Sequence, residues 1–142
     1  MAVTFTDNWG NILTKLTNIF REEFNIIVVK GEIEHAANAY IRLIPVSSSL
    51  EEMASFSEQR EYNITIQYIM NAKTLDNQFM DHITRQCCRV EALIFNNQTM
   101  ALEDSSTAFN CRLDSGEFDI EVEGLEDKYI IEWDYNCSHV AA

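Results

Sequence analysis

The stretch Arg60–Asn97 constrains the fold more than any other part of the chain, because its hydrophobic period changes once and cleanly. In Glu61–Met70, Tyr62, Ile64, Ile66, Tyr68 and Met70 alternate with Asn63, Thr65 and Gln67. A period of two in residues of high β propensity predicts a long strand with one buried face. From Leu75 the apolar positions step by three and four through Phe79, Ile83, Cys87, Val90 and Ile94, which is one stripe on a helix. Thr74 serves as its N-cap, with Asp76 and Asn77 in the first turn. A strand of roughly 30 Å thus leads through about three residues into a helix of roughly 35 Å. That helix has to fold back on the sheet to bury its stripe.

The rest of the chain reads around this unit. Thr6-Asp7-Asn8 offers N-caps for an amphipathic helix carrying Trp9, Ile12, Leu13, Leu16, Ile19 and Phe20, ending near Glu23. Ile26–Val29 reads as a short buried strand, with Gly31 as punctuation. Tyr40–Ile44 reads as a second strand, ended by Pro45, the one proline in the chain. Val46–Gln59 lacks periodicity and is expected to be a long loop, either a flexible hairpin connection or a contact loop for a protein partner. In the second case Ser49, Glu51 and Glu52 would accompany the anchors Met53 and Phe56.

After a polar connection over 96–106, Ala108–Leu113 is a strand and Asp114-Ser115-Gly116 a turn. Glu117–Glu123 then places Phe118, Ile120 and Val122 on one face and Glu117, Asp119, Glu121 and Glu123 on the other. Tyr129, Ile131, Trp133 and Tyr135 mark the last strand, and residues 136–142 read as a C-terminal tail. The expected architecture is a single α+β domain over residues 1–142. It is a mainly antiparallel sheet packed by two helices, in the order α-β-β-β-α-β-β-β.

Charge and motif content narrow the function. The net charge is −13, and it is uneven: residues 1–98 carry twelve acids and eight bases, residues 99–142 eleven acids and two bases. Such a field opposes phosphate-backbone binding. It suits a surface that nucleic acid passes without sticking, or one that meets a basic partner. The carboxylate ladder Glu117/Asp119/Glu121/Glu123 lies about 7 Å from step to step. It reads as a solvated face, a surface turned to DNA or a basic partner, a weak divalent-cation site, or, last, a catalytic pair. It lacks the D-x-[DN]-x-[DN]-G calcium loop.

The four cysteines show no C-x-x-C and no zinc-like pairing with His35, His82 or His139. Cys137-Ser138-His139 falls in the expected tail, and Cys87 reads as a small core hydrophobe. Arg85 and Arg89 share a helix face, as a solvated stripe or as partners for another subunit's carboxylates. No phosphate-cradling glycine loop, G-x-S-x-G or H-E-x-x-H occurs, so the expectation is a protein that is not an enzyme, with no cofactor and no metal. The longest apolar run, Ile26–Val29, cannot span a bilayer, and residues 1–25 lack a secretory pattern, which points to synthesis in the cytoplasm.

The order of these elements resembles the tail terminator (tail-completion) proteins of long-tailed bacteriophages. The likeness is carried by the W-x-x-I-L-x-x-L helix of Trp9–Leu16, the strand Tyr40–Ile44, the polar stretch to Arg60, and Arg60-Glu61-Tyr62-Asn63-Ile64-Thr65-Ile66-Gln67-Tyr68. It spans most of residues 8–135 and is one of pattern, with no diagnostic motif. The resemblance implies a virion structural protein forming a hexameric ring at the head-proximal end of the tail. Such a ring ends tube polymerisation and joins tail to neck. The implied partners are further copies of the chain, the tail tube protein and neck or connector proteins. DNA passes through the lumen without specific binding, there is no membrane partner, no cofactor is used and nothing is catalysed. On this reading residues 49–56 form the contact loop and Glu117, Asp119, Glu121 and Glu123 a candidate lumen face. A head–tail connector, a neck or baseplate ring component, and a small-ligand-binding α+β module stand as alternatives.

Overall fold

The alternation in residues 61–70 is realised as a central strand, with every other element arranged on or beside it. A computed structural model describes residues 3–33, 37–72, 77–123 and 126–141. The elements are α1 (Asn8–Phe24), β1 (Ile27–Lys30), β2 (Ala39–Ala54), β3 (Ser57–Ala72), α2 (Asn77–Phe95), β4 (Met100–Ala101), β5 (Thr107–Glu123) and β6 (Glu126–Ala141). The strands form one six-stranded sheet in the order β1-β2-β3-β6-β5-β4. Only the β1–β2 pair is parallel. The chain is a single α+β domain in the expected element order.

α1 begins where Asp7 accepts a hydrogen bond from the Gly10 N–H at 3.0 Å, and it ends at Asn25 in the left-handed conformation. Its stripe of Ile12, Leu13, Leu16, Ile19 and Phe20 is buried. Both helices lie on one face of the sheet. Their stripes meet Ile41 and Leu43 of β2, Tyr62, Ile64, Ile66, Tyr68 and Met70 of β3, and Tyr129, Ile131, Trp133 and Tyr135 of β6 in one core. Trp9 packs edge-on to Tyr62 and Phe24 to Tyr68, so α1 follows β3. Phe79 packs on Tyr129, which lies opposite Met70 of β3, so α2 starts where α1 ends and the helices run antiparallel. Arg89 joins them: it pairs with Glu23 at 2.9 Å and lies 4.4 Å over the Phe24 ring. This stripe arginine therefore meets a carboxylate of its own chain.

The other sheet face is mostly polar. Row by row it runs Arg42–Gln67–Glu132–Glu117, then Thr65–Asp134–Ser115, then Asn63–Asn136. Its apolar part is a small buried cluster of Tyr40, Ile69 and Ile130, with Val29 packed against it.

Several sequence expectations need correction. Pro45 does not end β2; it falls beyond the last residue paired with β1, at a register shift, where a missing N–H costs no ladder bond. Residues 46–59 are not a loop. They are the two arms of the β2–β3 hairpin, closed by a turn at Ser55-Phe56. Residues 47–54 of β2 are exposed throughout, and with neither face covered no alternation is needed. Residues 136–141 are not a tail, for they complete β6 between β3 and β5. Asp114–Gly116 lies inside β5 at a second register shift, so the two expected strands there are one. Gly116 sits against Trp133, where a Cβ would come within 3.0 Å of the indole. The third strand of that half is instead β4, which pairs with Thr107 and Ala108. The expected helix start at Thr74–Asp76 lies outside the described residues, as do Gly124 and Leu125 of the expected turn Gly124–Asp127, whose Glu126 and Asp127 instead open β6.

Two substitutions separate core from arm. Ile66, fully buried at the centre of β3, should lose about 2–5 kcal/mol on Ile66→Ala, measured by urea unfolding. Phe56→Ala at the hairpin turn should change stability by less than about 0.5 kcal/mol. A large loss at Phe56 would mean the tip packs on the domain.

Candidate functional site

Strands longer than the helices covering them leave two projecting regions. At one end of the sheet Glu58 of β3 pairs with Ala141, and just beyond lies the β2–β3 tip. Phe56 is 92% exposed there and Met53 66%, with Leu50 and Val46 also exposed along the same arm. Glu51 is held back onto the sheet, where its carboxylate accepts from the Ser138 hydroxyl at 2.7 Å. Ser49 and Glu52 complete the expected contact group and are exposed. The arm's outer edge has no strand partner past Leu43 among the described residues.

The acidic ladder occupies the opposite end and the opposite edge. Glu117 pairs with Glu132, Asp119 with Ile130, Glu121 with Lys128 and Glu123 with Glu126. Glu117 and Asp119 are exposed. Phe118, on the face opposite the acids, is 50% exposed. The two groups of site residues are therefore not brought together; they mark diagonally opposed corners. The acidic face does extend over two strands, with Glu117, Ser115, Glu132, Asp134 and Thr65 around one shallow depression. No group of three or more His, Cys, Asp or Glu among the described residues is arranged to hold a metal ion.

Between these corners a polar network crosses the uncovered face. Asn63 donates to Asp134 and, at 2.9 Å, to Asn136 Oδ1, while Asn136 donates to Asp114. Arg112 bonds Asp114 at 3.0 Å and Glu61 at 3.4 Å, so the carboxylates nearest the arm are partly neutralised. Asn63, on the polar face of a long alternating strand, was the sequence signal for this network, whereas Asn136 fell in the expected tail and meets Asn63 only through strand order.

A second constellation brings a serine, a histidine and an aspartate together. His139 is buried in β6, and its Nε2 lies 2.8 Å from Ser106 Oγ. Ser106 Oγ also bonds Asp104 Oδ1, which accepts the Ser106 N–H at 3.1 Å. The single hydroxyl proton goes to the carboxylate, so His139 donates from Nε2 and its Nδ1 has no partner. The base position facing the serine is thus already filled by a proton. This arrangement fastens the β4–β5 turn to β6; it does not activate a nucleophile.

Comparison with known proteins yields no matching family model and no matching curated protein. One solved structure has a similar fold. It is 11% identical, with a TM-score of 0.57 over 91% of this chain and 92% of that one. At that identity the likeness concerns the fold alone.

Burial holds the His139 imidazole below its ordinary value, against the opposing pull of Asp104. The unfolded chain then takes up the proton first as pH falls. Stability contributed by neutral His139 is complete above about pH 6.5 and is lost as pH drops through that value. An NMR titration of His139 should give a midpoint below that of the free imidazole, and the melting temperature should fall between pH 7.5 and 5.5. A midpoint at or above about 6.5 would contradict a buried neutral ring.

Proposed function

We propose that this chain is a ring-forming structural protein of a phage virion, a tail terminator acting at the head-proximal end of the tail. The observation that carries this reading is the pair of projecting arms. β2 from Val46 and β5 beyond Leu113 each present a long strand edge on opposite sides of one sheet, at opposite ends. Contacts between unlike patches of identical subunits are head-to-tail, and they close into rings when the rotation allows. The two edges are unlike patches at opposite ends of the sheet, as a head-to-tail contact requires, and Phe56 and Met53 supply exposed apolar anchors on one of them.

Charge supports the same reading. The uncovered sheet face carries Glu61, Asp114, Glu117, Asp119, Glu132 and Asp134 against Arg42, Arg112 and Lys128. A ring lining its channel with this face would repel phosphates, so DNA would move through it without being held. In this reading the partners are further copies of the chain, the tail tube protein and the neck, and the place of action is the virion. A small-ligand module is the second reading, favoured by a cavity of about 320 Å³ between the end of α2 and β5.

Electron cryo-microscopy of the protein alone and with a tail tube protein tests the proposal. A closed ring seated on a tube end supports it; a monomer that ignores the tube and retains a small molecule in the α2–β5 cavity would sink it. Phe56→Ala should lower ring yield severalfold while leaving the melting temperature within about 2 °C. Unchanged yield would remove the tip from the contact. Glu117→Lys with Asp119→Lys should keep the fold and create salt-dependent DNA affinity, read by a fluorescence titration. Absence of any gain in affinity would argue that this face does not meet DNA.

A further inference from the structure

The β5–β6 ladder places two buried thiols against each other. Phe109 lies opposite Ser138 and Arg112 opposite Asn136, so Asn110 and Cys111 together face Cys137 across a β-bulge. Asn110 takes the left-handed conformation, φ 52°, which lets the chain accommodate the extra residue. The bulge turns Cys111 onto the helix-facing side, where Cys111 is 2% and Cys137 0% exposed in the same core. The Cys111 and Cys137 thiols and the Tyr135 phenol sit close enough to shift one another's ionisation, and the Tyr135 hydroxyl donates to Met100 Sδ at 3.9 Å. Residues directly opposite across an antiparallel ladder have Cα atoms about 4.5–5.5 Å apart, and a bulge sets two residues against one beside such pairs, near the span a disulfide bridges. All four cysteines are free thiols.

The two members differ in access. Cys111 lines the α2–β5 cavity of about 320 Å³, together with Glu91, Ile94, Phe95 and Arg112, and Cys137 lies behind it. We propose that Cys111 and Cys137 are an oxidisable pair, which hydrogen peroxide entering through this cavity converts to a disulfide across the β5–β6 ladder. The Cys111 thiolate attacks the peroxide, forming S–O as O–O breaks, and the departing hydroxide takes up a proton to become water. Cys137 sulfur then attacks Cys111 sulfur; S–S forms, S–O breaks, and the second oxygen leaves as water with the Cys137 proton. The two sulfurs are oxidised and the peroxide is reduced.

The electrostatics assign the same roles. The hydrogen bond from Cys137, aided by Arg112, holds the Cys111 thiol below its ordinary value, whereas that bond and burial push Cys137 up. Burial and the Glu91 carboxylate raise Cys87 to about 12, which leaves it unreactive. The product would pin β5 to β6 at its bulge, whatever the protein assembles with.

The full chain, reduced and then exposed to hydrogen peroxide, should be unfolded, alkylated and mapped by mass spectrometry. The expected result is loss of two of the four alkylatable thiols, a mass lower by about 2 Da before alkylation, and a linked Cys111–Cys137 peptide pair restored by dithiothreitol. Cys87→Ser with Cys88→Ser should leave this unchanged, and Cys137→Ser should leave Cys111 as a sulfenic acid that dimedone traps. Four alkylatable thiols after oxidation, a sulfinic acid at Cys111 beside a free Cys137, or linkage through Cys87 or Cys88 would each overturn the proposal. The wild-type map decides by itself if a variant fails to fold.

Discussion

The pairing of β3 with β6 is the constraint on which the rest of the structure depends. The two strands match residue for residue from Glu58–Ala141 to Ala72–Asp127. In that register Tyr62, Ile64, Ile66 and Tyr68 stand beside Cys137, Tyr135, Trp133 and Ile131 on one face. Each buried side chain of this kind contributes about 1.5–3 kcal/mol relative to exposure. Slipping by one residue would exchange this set for Asn63, Thr65, Gln67, Asp134 and Asn136, which the helices could not cover. With the central pair set, α1 has one row to lie on and α2 another, and the flanking strands attach to edges already defined.

The helices are shorter than the hairpins they sit on, and that mismatch produces the surfaces of interest. Where a helix covers the sheet, the alternating apolar side chains beneath it are buried. Where it does not, as along 46–54 of β2 and 114–119 of β5, both faces meet solvent and the strands carry serines and carboxylates. Backbone pairing within each hairpin keeps these arms ordered without a core of their own. An edge so exposed invites another strand, and bulges and like charges moderate that tendency. The arms are thereby less prone to indiscriminate pairing, which suits the assembly proposed for them.

Acidity and redox chemistry bear on different parts of the same half. The carboxylates of the uncovered face are spread over β5 and β6 and remain in water, so they shape a long-range field instead of a chemical site. The Cys111–Cys137 pair lies on the other face of the same two strands, inside the core and beside a cavity. A cross-link there would stiffen the strand whose acidic edge projects, which connects the interior chemistry to the exposed arm without any shared residue.

The element types, the antiparallel character and the core rows were legible in the sequence, because period two and period three-to-four are imposed locally wherever one face is buried. The stripe Phe79–Ile94 and the alternation Tyr62–Met70 needed no partner to be read. The arms were not legible: Val46–Gln59 shows no period, since strands exposed on both faces gain nothing from one. The end of β6 looked like a tail because Asn136, Ser138 and His139 are polar, and only their neighbours Asn63, Glu51 and Ser106 make them interior. The facing of Cys111 and Cys137 rests on a bulge at Asn110 and on β5 lying next to β6. Local periodicity settled what each segment is, and strand order settled what touches what, because contacts between distant segments depend on register and adjacency that no single segment encodes.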